Sequence, residues 1–538
     1  MIVWGRPGPG DSAESFGTVQ ARLGEVLACN RPGSGLGHVL VALPSYSIGE
    51  SLMSHYADRI PAMEHRYLLA LFALSEIESC EIVFISSLAP GAEVLDYYTS
   101  LVPAARRRGV RERWRVLTVP DPAPRSLAAK LLDRPDLLGA LRASFAGRPA
   151  FIEPWNVTEH EVEVARRLGA PINGTSPALR HLGHKSAGRQ LFAQAGVPLP
   201  VGCEDVRTVD DVVAAIDAIR SARPGVAAVV IKHDDSGAGV GNVVIDLCDT
   251  DTDELRARIS ALPQWYLDDL RGGGVVEELV AGQRFESPSV QVDMAPSGEV
   301  AVLATHDQIF SGAGGQEYTG CRFPADTAYA VEIAGHARAA GAELARRGCV
   351  GRASIDFAAV CDHGGRWAVT ALEINLRKGG TTHPYAALRN LVPGRYDPGL
   401  GSWVARDGTT RAYVSTDNVV NDAWLGVPPA TVIKAVAAAG MQFDHRAGTG
   451  VVLHMLSCLA IDGRFGVTAI GRTPDHAADL YEQAVAAVVR QVYGRVGHGA
   501  DRWATRTSKP PGPSVRCGWS EVWSGRPACS HPASRARS

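Results

Sequence analysis

Residues 353–375, ASIDFAAVCDHGGRWAVTALEIN, decide the fold. Two runs rich in strand-forming residues flank a Gly-Gly pair at 364–365, and this pattern predicts an antiparallel hairpin with a two-residue turn. Asp356 precedes the first of these glycines by eight residues, and Glu373 follows the second by eight. The symmetry predicts that the two carboxylates face each other across the hairpin. Asn375 then lies on the same face of the sheet as Glu373.

Such opposed carboxylates allow two interpretations. Like charges directly across a sheet repel unless a cation lies between them. Oxygen ligands from Asp, Glu and Asn are those that Mg²⁺ prefers, usually with waters and nucleotide phosphates completing its shell. The alternative is a solvated hairpin face whose acids bind no metal, and residues 353–375 alone leave both interpretations open.

A glycine-rich segment upstream favours a nucleotide. The run VVIK, residues 229–232, is typical of a buried strand that ends in Lys232, and NVVIDL, residues 242–247, predicts a returning strand. Backbone N–H groups in such a turn cradle phosphates, and a lysine adds a point charge. The alternative is a purely structural glycine hairpin, and the spacing matches neither a dinucleotide fingerprint nor a Walker motif. The segment is predicted to contact phosphate through Ser236, Gly237, Gly239 and Gly241.

Two further segments contribute candidate nucleotide ligands. Lys185 lies in a stretch, residues 179–200, whose apolar spacing predicts a helix that ends near Gly196. A lysine on a helix is usually solvated, so Lys185 alone is weak evidence for a nucleotide site. The run VVEELV, residues 275–280, predicts a strand with a break after it, which frees backbone groups that can bind an adenine edge.

In this order and at this spacing, the segments resemble the ATP-grasp superfamily over roughly residues 180–400. The resemblance implies ATP and Mg²⁺ as cofactors and a role for each candidate residue. Lys185 and Lys232 would hold the nucleotide phosphates. The adenine would lie against Glu277, Glu278, Leu279 and Val280, and the Mg²⁺ ligands would be Asp356, Glu373 and Asn375.

The flanking segments resemble those of the pheganomycin-type peptide ligases, microbial ATP-grasp enzymes with a preceding α/β domain. Motifs such as LPSYSIGESLMSHY before residue 105 and LRKGGTTHP at residues 376–384 carry this resemblance. The predicted fold class is therefore mixed α/β and α+β. The predicted division is an N-terminal extension (1–35), a pre-ATP-grasp α/β domain (36–180), an ATP-grasp domain of two subdomains (181–400), a C-terminal α+β domain (401–495) and a disordered tail (496–538).

Composition indicates an ordinary globular enzyme of several domains. The chain has 538 residues, 46% of them hydrophobic, and a net charge of −3, which provides no basic field for nucleic acid or anionic lipid. No apolar stretch approaches the roughly 20 residues of a membrane helix, so we expect a cytoplasmic protein without membrane partners. The ten cysteines form no C-x-x-C pair, which disfavours a zinc site and a disulfide framework.

Two arginines complete the predicted chemistry. Arg352 lies four residues before Asp356 and Arg377 two residues after Asn375, so both are predicted on the metal face, as catalytic residues that hold a substrate carboxylate or a leaving phosphate. The resemblance implies a small-molecule carboxylate activated as an acylphosphate and then attacked by an amino-acid or peptide amine, with release of ADP and phosphate, in peptide natural-product (antibiotic) biosynthesis. The alternatives are an ATP-binding protein without catalysis and another ATP-grasp ligase chemistry.

Overall fold

The computed structural model describes residues 14–47, 53, 56–236, 241–311 and 317–493. Gly237, Gly239 and the tail predicted at 496–538 lie outside these residues. Among the described residues, no helix is both long and apolar enough to cross a membrane.

The first unit is a parallel sheet covered by helices. Its strand order is β3-β2-β1-β4, and it consists of β1 (His38–Leu43), β2 (Cys80–Ser86), β3 (Trp114–Thr118) and β4 (Ala150–Pro154). All four strands coincide with apolar runs, because a parallel sheet is buried on both faces. The helices are α1 (Phe16–Gln20), α2 (Leu23–Cys29), α3 (Ile60–Met63), α4 (Ala92–Ser100), α5 (Arg107–Glu112), α6 (Leu127–Leu132), α7 (Pro135–Ser144) and α8 (Glu159–Leu168), with 3₁₀ helices at Glu64–Ser75 and Ala104–Arg106.

The second unit is a small antiparallel sheet of order β5-β8-β6-β7. Its strands are β5 (Gly202–Cys203), β6 (Ala228–His233), β7 (Asn242–Asp246) and β8 (Gly274–Glu278). The predicted glycine-rich hairpin is thus β6 paired with β7, with Lys232 opposite Asn242. The helices of this part are α9 (Lys185–Gln194), α10 (Val209–Ala222), α11 (Thr252–Ser260) and α12 (Gln264–Leu270), after a 3₁₀ helix at Pro177–Gly183.

The third unit is a sheet of eleven strands that carries the predicted hairpin at one edge. Its strands are β9 (Arg284–Glu286), β10 (Pro288–Met294), β11 (Val300–Ser311), β12 (Glu317–Phe323), β13 (Gly351–Cys361), β14 (Trp367–Asn375), β15 (Gly394–Asp397), β16 (Ser402–Ala405), β17 (Thr410–Val420), β18 (Gly450–His454) and β19 (Arg464–Gly471). The helices are α13 (Ala330–Arg346), α14 (Thr382–Leu391), α15 (Pro429–Ala438), α16 (Leu459–Asp462) and α17 (Pro474–Tyr493), with 3₁₀ helices at Asp422–Trp424 and Leu456–Cys458.

This large sheet continues across the predicted boundary at residue 400. The boundary falls between β15 and β16, which pair with each other, and β17 pairs with β12. The C-terminal strands therefore extend the sheet that carries the hairpin. The division into domains at residues 400/401 stays a prediction.

The hairpin has the predicted register but not the predicted turn. Asp362 donates its backbone N–H to the carbonyl of Arg366 at 3.0 Å, which closes a three-residue loop at 363–365 instead of a two-residue turn. This loop shifts the pairing by one residue. A β-bulge that adds Leu372 to β14 shifts it back, so Asp356 still lies opposite Glu373.

The two faces of the hairpin have different surroundings. Ile355, Phe357 and Ile374 are buried in an apolar core, together with side chains of α13 and β10. Because strand side chains alternate, the residues between them point to the opposite face, toward the small sheet. The core therefore fixes the orientation of the polar face.

Candidate active site

Lys185 joins the small sheet to the hairpin. It is the first residue of α9, and its Nζ lies 2.9 Å from both the carbonyl and the Oγ of Ser236. The same Nζ lies 3.7 Å from Oε2 of Glu373. The lysine side chain is buried, and burial lowers its pKa, an effect that Glu373 opposes. One cation thus connects the glycine-rich segment to the predicted metal ligands.

Lys232 forms a buried ion pair with Glu277. The register of β6 and β8 places Glu277 opposite Val230, two residues from Lys232, so both side chains lie on one face of the sheet. The other carboxylate oxygen of Glu277 accepts a hydrogen bond from Nη1 of Arg189 at 2.8 Å. Glu277 therefore neutralises two buried cations in this structure, while its assignment to adenine stays a prediction.

The three predicted metal ligands form one half-buried cluster. Nδ2 of Asn375 donates to Asp356 at 3.1 Å and to Glu373 at 3.2 Å. Burial and the facing Glu373 raise the pKa of Asp356. Burial also opposes ionisation of Glu373, yet Lys185 and Lys232 lower its pKa below the usual value. Two half-buried acids that share one site and are only partly balanced by lysines fit a divalent cation with oxygen ligands.

The two predicted catalytic arginines differ in their surroundings. Arg377 is half-buried near Glu373 and Asp356; desolvation lowers its pKa, and the two carboxylates oppose that shift. Arg352 lies 3.4 Å from Oδ1 of Asp293, and its guanidinium stacks 5.5 Å from the ring centre of Tyr385. Within the described part of the chain, Nη1 of Arg352 is buried without a hydrogen-bond partner. Arg352 therefore has a free donor for an anion.

The remaining predicted residues lie at the ends of the small sheet. Glu278 accepts a hydrogen bond from the backbone N–H of Val201 at 2.8 Å. Leu279 donates its backbone N–H to the carbonyl of Ala228 at 2.9 Å, and Val280 follows it as a half-buried residue. Gly241 has a φ of +85°, and a Cβ there would lie 2.7 Å from Nδ1 of His233, so the position requires glycine.

Sequence reasoning missed the partners that hold these residues in place. Arg189 connects Glu277 to Glu204, at 2.8 and 2.7 Å. Nζ of Lys378 lies 2.7 Å from Oε1 of Glu153 in the first unit. Both interactions join distant parts of the chain, and no local pattern indicates them.

Comparisons with known proteins identify similar chains. A family model described as the PGM1 C-terminal domain matches residues 431–484. L-propargylglycine–L-glutamate ligase from Streptantibioticus cattleyicolor is 31% identical over 472 residues, which cover 82% of this chain and 93% of that protein. IQ motif-containing protein H from Danio rerio is 23% identical over 343 residues, 53% of this chain and 32% of that protein.

A solved structure supports the fold. Biotin carboxylase from Campylobacter jejuni, in complex with β,γ-ATP, has a TM-score of 0.51 at 13% identity and covers 87% of this chain and 98% of that chain. At this identity the likeness shows the fold alone, which is the ATP-grasp fold that the sequence predicted. With 31% identity over nearly the whole length of the Streptantibioticus ligase, the chain belongs to that enzyme's family, the ATP-grasp carboxylate–amine ligases, which use ATP and Mg²⁺ to form carbon–nitrogen bonds.

Proposed function

We propose that this enzyme joins the carboxyl group of one amino acid or small acid to the amine of another amino acid or a peptide. ATP supplies the phosphoryl group that activates the carboxylate as an acylphosphate, and the amine then displaces phosphate. The Streptantibioticus relative is named for L-propargylglycine and L-glutamate, and this supports amino acids as the substrate class.

One observation carries the proposal: Lys185 contacts both the glycine-rich segment and the carboxylate cluster. Its Nζ lies 2.9 Å from Ser236 and 3.7 Å from Glu373. A triphosphate bound along the glycine-rich segment would therefore have its terminal phosphates beside the oxygen ligands of the metal. Catalysis of phosphoryl transfer consists mostly of such positioning and charge stabilisation.

The chain's own residues then have defined roles. Lys185 and Lys232 bind phosphate oxygens, and the latter exchanges its contact with Glu277 for one to the nucleotide. Asp356 and Glu373 would hold Mg²⁺, with Asn375 offering its amide oxygen instead of its nitrogen. Mg²⁺ held there would supply positive charge that stabilises the phosphates.

The arginines orient the acid that is activated. Arg377 lies close to both carboxylates of the cluster, where it can hold the attacking carboxylate beside the terminal phosphate. Arg352 has a buried Nη1 that lacks a partner among the described residues and is suited to an anion. Two guanidinium groups on the metal face give the substrate carboxylate two fixed donors.

The test is a phosphate-release screen of acid and amine pairs, with mass spectrometry of the products. We expect ADP, phosphate and one amide in equal amounts for at least one pair of amino acids. Glu373→Gln serves as the inactive control, because it removes one metal ligand without changing the size of the side chain. ATP consumption without an amide product, in every pair tested, contradicts the proposal.

A further inference from the structure

A second buried charge network lies between the first unit and the C-terminal strands. Arg66 comes from the 3₁₀ helix Glu64–Ser75, Asp417 from β17, His383 from α14 and His454 from the end of β18. Nη2 of Arg66 donates to Oδ2 of Asp417. The other oxygen of Asp417 lies 2.9 Å from Nε2 of His383 and 3.1 Å from Nδ1 of His454. We call these four residues the Arg66 network.

The Arg66 network is a hydrogen-bonded ion pair and not a metal centre. Burial opposes ionisation of Asp417, but Arg66 and His383 hold its pKa well below the usual value. Burial lowers the pKa of His383 to about 4, so this ring is neutral at pH 7. One cation and one anion thus balance each other. A divalent ion between the histidines would leave positive charge beside Arg66 without a buried counter-charge.

Arg66 itself is only partly used by this network. Its Nη1 reaches the hydroxyl of Tyr46 at 3.4 Å, a long contact, and its guanidinium lies 5.9 Å from the ring centre of Trp155. Among the described residues, its buried Nε has no hydrogen-bond partner. A guanidinium with a fixed orientation and free donors between aromatic side chains is suited to bind a carboxylate.

The position of Arg66 in the first unit is that of a ligand site. Tyr46 follows β1 and Trp155 follows β4, at the carboxyl ends of two neighbouring parallel strands. The strand order reverses between β1 and β4, because β2 and β3 lie beside one edge of β1 and β4 lies beside its other edge. Open α/β sheets bind their ligands in the crevice at such a point.

A short segment connects Arg66 to the reacting groups. Arg377 begins it beside Asp356 and Glu373. The backbone N–H of Lys378 donates to the carbonyl of Trp155 at 3.1 Å, and His383 ends the segment at Asp417. This segment thus links Arg377 to Arg66 through His383 and Asp417.

We propose that Arg66, oriented by Asp417, binds a carboxylate of the amino-acid substrate. This carboxylate does not react in the ligation and stays free in the product. This inference rests on the proposed function and deepens it, since it assigns Arg66 as the group that recognises a free carboxylate on the substrate. Asp417, with His383 and His454, is the positioning part of the Arg66 network.

The test uses only amino-acid substrates that keep a free carboxylate in the amide product, and compares each of them with the carboxamide of that unreacted group. We expect the wild type to prefer the free acid by about 10- to 100-fold in kcat/KM, the range of one charge-assisted hydrogen-bonded pair. In Arg66→Gln most of that preference is lost through a higher KM for the acid, and Arg66→Lys retains part of it. Arg411→Gln is the matched control, because Arg411 is buried but donates to the backbone carbonyls of Gly448 and Ala447.

Several outcomes overturn the inference. A wild-type enzyme with equal kcat/KM for acid and carboxamide overturns it, and this result needs no variant. An Arg66→Gln enzyme that keeps the wild-type preference for the acid also overturns it. Stoichiometric zinc in the purified protein that His383→Gln removes also overturns it. If no pair releases phosphate, the proposed function fails. Thermal unfolding of the ATP-bound wild type then tests the role of Arg66 separately: stabilisation by the acids but not by their amides supports it, and equal stabilisation by both contradicts it.

Discussion

Replacing Asp356 with asparagine is expected to stabilise the metal-free protein while abolishing ligation. The carboxylate of Asp356 faces that of Glu373 in a half-buried site, and both accept hydrogen bonds from one nitrogen of Asn375. Asparagine has nearly the same shape but carries no charge. The substitution therefore removes electrostatic repulsion without creating a cavity.

The magnitude follows from the geometry. The two oxygens that share this nitrogen are at most about 6 Å apart, since the two hydrogen bonds measure 3.1 and 3.2 Å. At an effective dielectric constant of about 20, two unit charges at this distance repel by about 3 kcal/mol. Lys185 and Arg377 offset part of that repulsion. We expect a net gain of about 1–2 kcal/mol in the free energy of unfolding, which is about 1–2 °C in the thermal midpoint of a chain of 538 residues.

The sign of the pH dependence is fixed by the raised pKa of Asp356. An acid whose pKa is raised to about 7 in the folded state destabilises the fold most above that pKa, and the penalty shrinks as the pH falls from there toward the unfolded-state pKa of about 3.9. The gain from asparagine is thus expected in full at pH 8 and is smaller at pH 5. Thermal unfolding in EDTA at both pH values measures it.

Two comparisons make the result specific. Asp362→Asn is the matched control in the same hairpin, where the carboxylate accepts turn hydrogen bonds from Gly364 and Arg366 at 2.7 and 3.0 Å. This control should lose stability slightly and respond to Mg²⁺ and ADP like the wild type, whereas Asp356→Asn should not respond. A lower midpoint for Asp356→Asn in EDTA would refute the reasoning, because the carboxylate would then be a structural group.

Three other predictions concern single positions. Lys185→Met should weaken ATP binding by about 10- to 100-fold, the value of one charge-assisted contact, measured by calorimetry; unchanged affinity excludes Lys185 from the nucleotide site. Burial raises the pKa of Glu64 to about 7, so the stability of Glu64→Gln relative to the wild type should rise by about 2–3 kcal/mol between pH 5 and pH 8 in urea titrations. A difference that stays constant with pH contradicts this. Gly380→Ala should lower the free energy of unfolding by about 1–3 kcal/mol, because its Cβ would lie 2.3 Å from the Tyr318 ring. Gly379→Ala is the control, since its Cβ would meet only an ordinary contact at 3.9 Å. Equal losses of stability in the two variants contradict the prediction.

Local strand patterns were predictable from the sequence. The hairpin, the glycine-rich strand pair and the four parallel strands all follow from apolar runs and turn residues. The prediction that Asp356 faces Glu373 was also correct, although the two-residue turn from which it was derived was not. The three-residue loop and the bulge at Leu372 compensate each other, and neither leaves a clear signal in composition.

Long-range partners were not predictable. The pairing of Lys232 with Glu277 depends on the register between β6 and β8, which a helical region and loops separate in sequence. Arg66 and Asp417 are 351 residues apart. Burial of such charges is stable only with a partner, but the sequence does not specify which partner packing provides.

Interception of the activated acid tests the central claim most directly. With ATP, Mg²⁺ and the acid substrate alone, hydroxylamine should trap an acylphosphate, giving a hydroxamate and ADP. Oxygen-18 from a labelled carboxylate should appear in the released phosphate. Formation of AMP and pyrophosphate instead would contradict the account, because the carboxylate would then be activated by adenylation.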